Sequence, residues 1–353
     1  MKRNLTSDDV SAAVLGGAIL GGGGGGMIDQ GERLGRIALE AGAPQLWSVD
    51  EFAAGACTAT VSMVGAPGAQ HRHVSPSQSL RTVRALQREL PPGRELICLN
   101  TNENGAQTTV NGWFQSAMTG LPVIDLACNG RAHPTGLMGS LGLHRQDNYL
   151  SIQSFAGGKP EYEVEGVTRG RLASTSGVVR SASIDAGGLV AVTRDPTTVG
   201  YACEHGAPGA ISQAIALGRA FLNGGIDAVC RMLGGRIIAE GNVCVFNIRQ
   251  AGGLDLGAVE LDDKAATSLR FVNEYMTLEQ AGQRIANFPD LVMTFGEDGS
   301  PIVSAQVREG MKLRVLHVPR SRLLLSRTMH MPELYQPLEE MLGTRFAPEM
   351  EHD

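Results

Sequence analysis

Short apolar runs alternate with amphipathic stretches over the first 130 residues of the chain. Val10, Val14 and Ile19 fall on one face of a helix that Thr6 or Ser7 can cap. Three β-rich runs follow, and the helical patterns between them lie at 75–90 and 108–119. The runs predicted as strands cover residues 57–64, 95–99 and 122–126. This β-α-β-α-β order predicts an N-terminal α/β domain with a parallel sheet.

The pattern changes after residue 146, where short alternating pieces with many glycines begin. A strand is predicted at 189–193 and an apolar-faced helix at 210–222, and β-rich runs separated by turn signals fill 236–319. A chain of 353 residues exceeds what one core usually serves. We therefore predict two domains with a boundary near 165, namely 1–165 and a C-terminal β-rich α+β domain over 166–353.

Composition narrows the classes of function. With 42% hydrophobic residues, 19% charged residues and a formal charge of −6, the chain lacks the basic excess of a nucleic-acid surface. No apolar run is long enough to span a membrane. The six cysteines form no CxxC pair, which favours free thiols in a reducing cytoplasm. We expect a cytoplasmic homo-oligomer that binds a small molecule.

Polar side chains gather where the third predicted strand ends. Asp125, Cys128, Asn129, Arg131 and His133 occupy nine positions, and ligands of open α/β sheets bind beyond the carboxyl ends of the strands. This segment is the first candidate for a site. The alternative is a structural ion pair of Asp125 with Arg131 beside a buried Cys128 thiol.

The other two strand ends also carry unusual polar residues. His71, Arg72 and His73 follow the first strand and precede a helix that Ser75 can cap, an arrangement that attracts an anion such as a carboxylate. Asn102, Glu103 and Asn104 follow the second strand, and their amides and carboxylate could bind the polar edge of a heterocycle. The alternatives are a solvated basic loop and ordinary turn chemistry.

Six glycines at 21–26 connect the first two predicted helices. Such a run lets backbone N–H groups approach a ligand closely, so Gly24 and Gly25 are candidate binding positions for an anion or a carbonyl oxygen. There is no GxxxxGK[ST] motif and no preceding strand of a dinucleotide site. A flexible connector between helices is the alternative.

Cys203 and His205 precede the helix predicted at 210–222. A thiol next to an imidazole, just before a helix, is a candidate nucleophile of lowered pKa. The alternative is a buried thiol near a turn.

Several segments together resemble the two-domain S-methyl-thiohydantoin desulfurase family. The resemblance covers residues 8–325 and is carried by the glycine run, the strand ending MVGAPG, the segment LPVIDLACNGRAHP and the later RFVNEYMTLE and FPDLVMTFGEDGSPIVSAQVREGMKLRVLHVP. It implies removal of sulfur from a thiohydantoin-type ring. One similar branch, the thiohydantoin-propionate desulfhydrases of bacterial ergothioneine breakdown, converts a 5-oxo-2-thioxoimidazolidine propionate to the hydantoin and releases sulfide.

The chain departs from the common pattern of the family at two loops. Many relatives have an acidic pair after GAP and a phenylalanine and glutamate after GRA, whereas this chain has residues 70–73 as QHRH and residues 133–135 as HPT. The added imidazole and guanidinium groups favour a substrate with a carboxylate tail.

The mechanism expected from the sequence uses two thiols and no cofactor. Cys128 and Cys203 would attack C2 of the ring and carry sulfur away, with His133 or His205 moving protons. Two other hypotheses stay open. One is a zinc-dependent ring hydrolase of the hydantoinase type with ligands from His71, His73, His133 or His205. The other is a non-catalytic partner or sensor of a hydantoinase.

Overall fold

Two sheets form the protein in a computed structural model that describes residues 1–347. The first sheet has nine strands: β1 Lys2–Asn4, β2 Gln45–Trp47, β3 Cys57–Gly65, β4 Leu96–Glu103, β5 Val123–Asn129, β6 Ser151–Gly157, β7 Val164–Gly170, β8 Leu189–Thr198 and β9 Ala207–Pro208. The second sheet has eight strands: β10 Arg236–Ala251, β11 Leu254–Leu261, β12 Ser268–Val272, β13 Glu274–Gln280, β14 Gln283–Asn287, β15 Leu291–Gly296, β16 Pro301–Ile302 and β17 Lys312–Val318.

Within residues 1–347, eight α-helices pack on these sheets. They are α1 Ser7–Gly21, α2 Ile28–Ala41, α3 Pro76–Glu89, α4 Trp113–Thr119, α5 Leu172–Asp185, α6 Val199–His205, α7 Ala210–Leu233 and α8 Gln336–Leu342. Thr6 caps α1 with a capping box, and Ser75 caps α3 in the same way. In the described part of the chain, no helix combines the length and apolar character needed to cross a bilayer.

The first sheet is parallel only at its centre. Its strand order is β1-β2-β5-β4-β3-β8-β6-β7, with β9 added to β5, and the pairs β2–β5, β5–β4 and β4–β3 are parallel. The flanking pairs, including β3–β8, are antiparallel. The predicted α/β class with a separate β-rich unit is confirmed, since the second sheet is antiparallel throughout. Its strand order is β14-β13-β12-β11-β10-β17-β15-β16.

The division between the sheets lies later in the chain than residue 165. Strand β8 pairs with β3 from Cys57 to Gly65, and β9 pairs with β5, so residues up to Pro208 belong to the first sheet. Strand β8 is buried along most of its length because it lies between two strands of that sheet. Sequence pattern alone does not show which strand a later strand pairs with.

Strands β4 and β5 extend further than predicted. The polar residues from Asn100 to Glu103 lie inside β4, and Cys128 and Asn129 lie inside β5 rather than in a loop. Hydrogen bonds between β4 and β5 continue to the Glu103–Asn129 pair. Polar residues sit within these strands because other side chains satisfy them, as Thr58 does for Asn100 at 2.9 Å.

The glycine run joins the two sheets. Tyr275 N donates to Gly22 O at 2.8 Å and Ser304 N to Gly23 O at 2.9 Å, while Gln107 N donates to Gly25 O at 2.9 Å. Glycines 22, 23, 25 and 26 all have positive φ, which other residues rarely adopt. The run is therefore a packed junction between the second sheet and the loop after β4, and not a flexible connector.

Candidate functional site

A pocket opens where the carboxyl ends of β3 and β4 meet the second sheet. The loop that follows β5 closes one side, and the glycine run closes another. Its polar or charged lining side chains are Gln30, Ser62, Arg72, Asn102, Glu103, Gln107, Thr108, His133, Thr135, Arg180, Arg194, Asn273 and Glu274. Three strand ends predicted to converge thus contribute to one cavity, as the general rule for α/β sheets anticipates.

Buried polar atoms without a partner concentrate at this pocket. Among the described residues, thirteen buried side-chain nitrogen and oxygen atoms form no hydrogen bond, and six of them belong to residues of the pocket wall. These six are Ser62 Oγ, Arg72 Nε, Thr108 Oγ1, His133 Nε2, Arg194 Nε and Glu274 Oε2. Leaving buried polar groups unpaired is costly, so their concentration marks a place where a polar ligand completes the hydrogen bonding.

Glu103 and His133 form a buried pair in the wall. The backbone N–H of His133 and the side-chain amide of Asn102 both donate to Glu103 Oε2 at 3.1 Å. His133 Nδ1 lies 3.1 Å from the carbonyl oxygen of Thr135, which can only accept, so the proton sits on Nδ1. His133 Nε2 then keeps a lone pair, 3.3 Å from Glu103 Oε2 and without a hydrogen-bond partner.

Burial makes both members of this pair neutral near pH 7. It lowers the pKa of His133 to about 3, assisted by the positive charge of Arg194. It also raises the pKa of Glu103 to about 8, against the effect of hydrogen bonds to the carboxylate. The contact is therefore a neutral carboxyl beside a neutral imidazole with an unprotonated nitrogen, rather than an ion pair. Such a pair can give and take protons without a change of net charge.

Glu274 at the start of β13 brings a second buried carboxyl to the pocket. Burial raises the pKa of Glu274 well above its usual value, and the neighbouring Glu103 raises it further. Its Oε1 fits against Gly24, where an added Cβ would lie only 1.9 Å from that oxygen. Gly24 was predicted to touch a ligand through its backbone; the structure places it as the close-packed support of the Glu274 carboxyl.

Arginine side chains supply positive charge around these carboxyls. Arg194 on β8 donates to Asn102 Oδ1 at 2.6 Å and pairs with Asp195 at 3.2 Å. Arg180 on α5 and Arg72 after β3 also line the pocket. Because the two glutamates tend toward their neutral forms, the pocket carries an excess of positive charge that suits an anionic ligand.

Four residues predicted from the sequence line the pocket: Gly25, Arg72, Asn102 and His133. Gly25 has φ +75, and an added Cβ would lie 2.4 Å from Gly105 Cα, so only glycine fits there. His71 and His73 flank Arg72 but are exposed, and neither lines this pocket. The basic segment after β3 therefore contributes one side chain to the pocket wall rather than three.

Neither predicted thiol lines the pocket. Cys128 is fully buried within β5, where its sulfur contacts Thr60 Oγ1 at 3.2 Å and Asn100 Nδ2 at 3.4 Å, and burial raises its pKa to about 11. Cys203 lies in α6 within an apolar cluster, and burial raises its pKa as well. Raised pKa values are the opposite of what a thiolate nucleophile needs. Cys128 has the environment of a packed core group, and Cys203 is half-buried against an apolar cluster.

His205 also lies away from the pocket. Its ring stacks on Tyr201 with centroids 4.1 Å apart, and burial lowers its pKa. His205 was predicted to transfer protons at the site, but it does not line the pocket. The segment before α7 is the short helix α6, and His205 is its last residue.

Three further predicted binding residues have structural contacts instead. Asp125 Oδ1 accepts from the backbone N–H groups of Ile211 and Ser212, both at 3.0 Å, and so caps the start of α7. Asn104 Nδ2 donates to Ala210 O at 2.8 Å. Arg131 donates to Pro289 O at 2.9 Å and lies over the Phe288 ring at 4.6 Å, which ties the loop after β5 to the second sheet.

The histidines proposed as zinc ligands do not converge. Within residues 1–347, no three His, Cys, Asp or Glu side chains lie close enough together to hold a metal ion. The zinc-hydrolase hypothesis therefore lacks its ligand set, since a catalytic zinc site needs three protein ligands around one point.

Sequence reasoning missed three important wall residues, Arg180, Arg194 and Glu274, and it gave Glu103 a binding role but no catalytic one. Glu103 stood in the segment already singled out after the second strand, and its position beside two asparagines was a usable signal. Arg194 follows directly on the predicted strand 189–193. Arg180 and Glu274 had no local signal, because only tertiary packing brings them to the pocket.

Comparisons with known proteins agree with this architecture. The chain matches two family profiles, the S-Me-THD-like N-terminal domain over residues 8–159 and the S-Me-THD-like C-terminal domain over residues 172–331. A comparison with curated proteins finds no match. The crystal structure of a protein from Chromobacterium violaceum is similar in fold, with a TM-score of 0.71 and 21% sequence identity over 97% of this chain and 96% of that one.

The two profiles together span most of the sequence and meet between residues 159 and 172. They agree with the resemblance seen in the glycine run and in the LPVIDLACNGRAHP segment. By both of its domains, the chain belongs to the S-Me-THD-like family, the S-methyl-thiohydantoin desulfurase family.

Proposed function

We propose that this protein is an enzyme that removes sulfur, as sulfide, from a thiohydantoin ring and leaves the hydantoin. Membership of the S-Me-THD-like family supports a thiohydantoin-related function. The observation that carries the reaction type is the neutral Glu103–His133 pair, which opens onto a pocket rich in unpartnered polar atoms. The substrate we favour is a 5-oxo-2-thioxoimidazolidine propionate, whose carboxylate suits the positive charge of the pocket.

The proposed reaction exchanges the sulfur on C2 of the ring for an oxygen from water. The water oxygen bonds to C2 while the electron pair of the C=S π bond moves to sulfur, and His133 Nε2 takes one water proton. The tetrahedral carbon then carries a hydroxyl group and a thiolate. Protonation of this sulfur and loss of the hydroxyl proton lead to the carbonyl product.

Glu103 carries both of these later protons. Its carboxyl first donates a proton to the sulfur, and the resulting carboxylate takes the hydroxyl proton as the C=O bond forms. The C–S bond breaks with its electron pair on sulfur, so that hydrosulfide leaves and collects the proton held by His133. One water is consumed, one hydrogen sulfide is released, and both side chains return to their starting protonation states.

Positive charge in the pocket stabilises the thiolate that forms in the first step. Arg194 keeps its Nε free of hydrogen bonds while its other nitrogens are fixed by Asn102, Asp195 and main-chain carbonyls. A guanidinium already fixed in place does not have to reorganise when charge develops, which is the usual source of electrostatic catalysis. No thiol of the protein takes part.

Sulfide release by the purified protein tests this proposal. With 5-oxo-2-thioxoimidazolidine propionate as substrate, we expect stoichiometric sulfide and hydantoin, together with loss of the ultraviolet absorption of the thioxo group. The corresponding hydantoin is the control and should release nothing. Ring opening without sulfide would favour a ring hydrolase, and tight binding without turnover would favour a sensor; either result would contradict the proposal.

A further inference from the structure

A second cavity adjoins the pocket and has no part in the chemistry described so far. The two cavities share Val64, Thr135, Gly136, Arg180 and Arg194 in their walls. The shared wall means that a group attached to a ring in the first pocket can extend toward the second cavity at the level of the two arginines.

The bonding of Arg180 differs from that of Arg194. Arg180 Nη1 donates to Gly253 O at 2.9 Å and Nη2 to Pro134 O at 3.2 Å, so both of its hydrogen bonds end on neutral main-chain carbonyls. Arg194 instead has the carboxylate of Asp195 at 3.2 Å. Burial lowers the pKa of Arg180 to about 10, which reflects how poorly its charge is solvated.

The carboxyl groups of Glu274 and Glu103, which influence Arg180 electrostatically, do not neutralise its charge. A negative charge on either glutamate would favour the charged form of Arg180. Burial raises the pKa of each glutamate, however, so both tend toward the uncharged form. Arg194 adds a second positive charge to the same wall. Arg180 is half-buried, and among the described residues no carboxylate forms an ion pair with it. A poorly solvated charge without a charged partner is unfavourable, and an anionic ligand placed beside it recovers part of that cost.

The second cavity offers an apolar wall beside this charge. Its lining includes the aliphatic side chains of Leu137, Val179, Leu254, Leu334 and Pro337. Apolar walls that end at a fixed cation match a short alkyl chain that ends in an anion. The guanidinium, with its fork of N–H groups, binds a planar carboxylate better than it binds a neutral amide.

We propose that Arg180 binds the carboxylate of a short alkyl arm on the substrate ring, with the arm lying along the wall shared by the two cavities. This inference rests on the proposed function, because it assumes that the ring occupies the first pocket. The substrates would be ring compounds with an acidic aliphatic arm. Arg180 of α5, and not the basic segment after β3, would recognise that arm.

Equilibrium binding of the reaction product tests the assignment without turnover. Hydantoin propionate and its uncharged propionamide are titrated calorimetrically into the wild-type protein, Arg180→Met, Arg180→Gln and the control Arg84→Met, whose side chain is exposed on α3. We expect Arg180→Met to weaken binding of the acid by about 10- to 100-fold and to leave binding of the amide unchanged. Arg84→Met should bind both ligands as the wild type does.

Each outcome separates this inference from the proposed function. Equal losses for acid and amide, or no loss for either, would overturn the assignment of Arg180 while sulfide release by the wild type stays intact. Failure of the wild type to bind the acid more tightly than the amide would overturn it as well. Arg180→Gln keeps an N–H donor for the carbonyls of Gly253 and Pro134, so it provides a folded variant if Arg180→Met unfolds.

Discussion

Replacement of His133 by glutamine is expected to lower the kcat of sulfide release by a factor of about 10² to 10⁴, the range that a positioned general base contributes. His133 Nε2 holds a lone pair because Nδ1 carries the proton toward Thr135 O. Glutamine can occupy similar space but has no basic nitrogen. Initial rates of sulfide release at saturating substrate, with the thermal midpoint as a check of folding, measure the effect.

The matched control for this variant is His330→Gln, because His330 is exposed and lies outside the pocket wall. Its rate should equal that of the wild type. A folded His133→Gln protein that releases sulfide at more than a tenth of the wild-type rate would show that His133 is not the base.

Replacement of Glu103 by glutamine is expected to remove a similar share of activity, about 10²-fold or more, while the pocket keeps its shape. A glutamine oxygen can still accept from the His133 and Asn102 N–H groups that now bind Glu103. Its amide has no acidic proton to give to the sulfur.

The same variant is expected to change how stability depends on pH. Burial raises the pKa of Glu103 to about 8 in the folded protein, against an ordinary value of 4.5. Between these values the folded state holds a proton that the unfolded chain has lost. Wild-type stability from this group is therefore full below pH 4.5 and falls as the pH rises through 8, by at most about 1.4 kcal/mol per pH unit.

Thermal unfolding of both proteins from pH 5 to 9 measures this difference. The thermal midpoint of Glu103→Gln should rise relative to that of the wild type as the pH increases, and the His133 titration is common to both proteins. A difference that stays constant over the range, or that shrinks toward high pH, would mean that the folded protein does not hold the carboxyl proton.

The main elements of the first half of the chain could be predicted from the sequence because local signals are strong there. Apolar runs marked β3, β4 and β5, and Ser75 with Pro76 marked the start of α3. Where prediction failed, tertiary contacts overrode local chemistry. The polar residues 100–103 and 128–129 were predicted as loops, but they lie inside the sheet because groups of neighbouring elements satisfy them. Thr58 Oγ1 donates to Asn100 Oδ1, and the backbone N–H of Ser326 donates to Asn129 Oδ1.

The position of the pocket could be predicted from the sequence, but only some of the side chains that line it could be. Strand ends pointed to Asn102, His133 and Arg72, because the carboxyl ends of parallel strands share one edge of the sheet. Glu274 reaches the pocket from the second sheet and Arg180 from α5, and no spacing in the sequence encodes that packing. Cys128 and Cys203 were predicted as nucleophiles because each lies near a histidine in the sequence. That proximity gives no information about the burial of a thiol, which sets its pKa.

The central claim is that desulfuration takes place at the Glu103–His133 pair without a protein thiol, and the sulfide-release rate of the double variant Cys128→Ser, Cys203→Ser tests it most directly. Serine can keep the contacts of residue 128 with Thr60 and Asn100. The predicted kcat lies within about twofold of the wild-type value, since neither sulfur lines the pocket. A loss of 100-fold or more in a folded double variant would contradict the claim and restore a thiol mechanism.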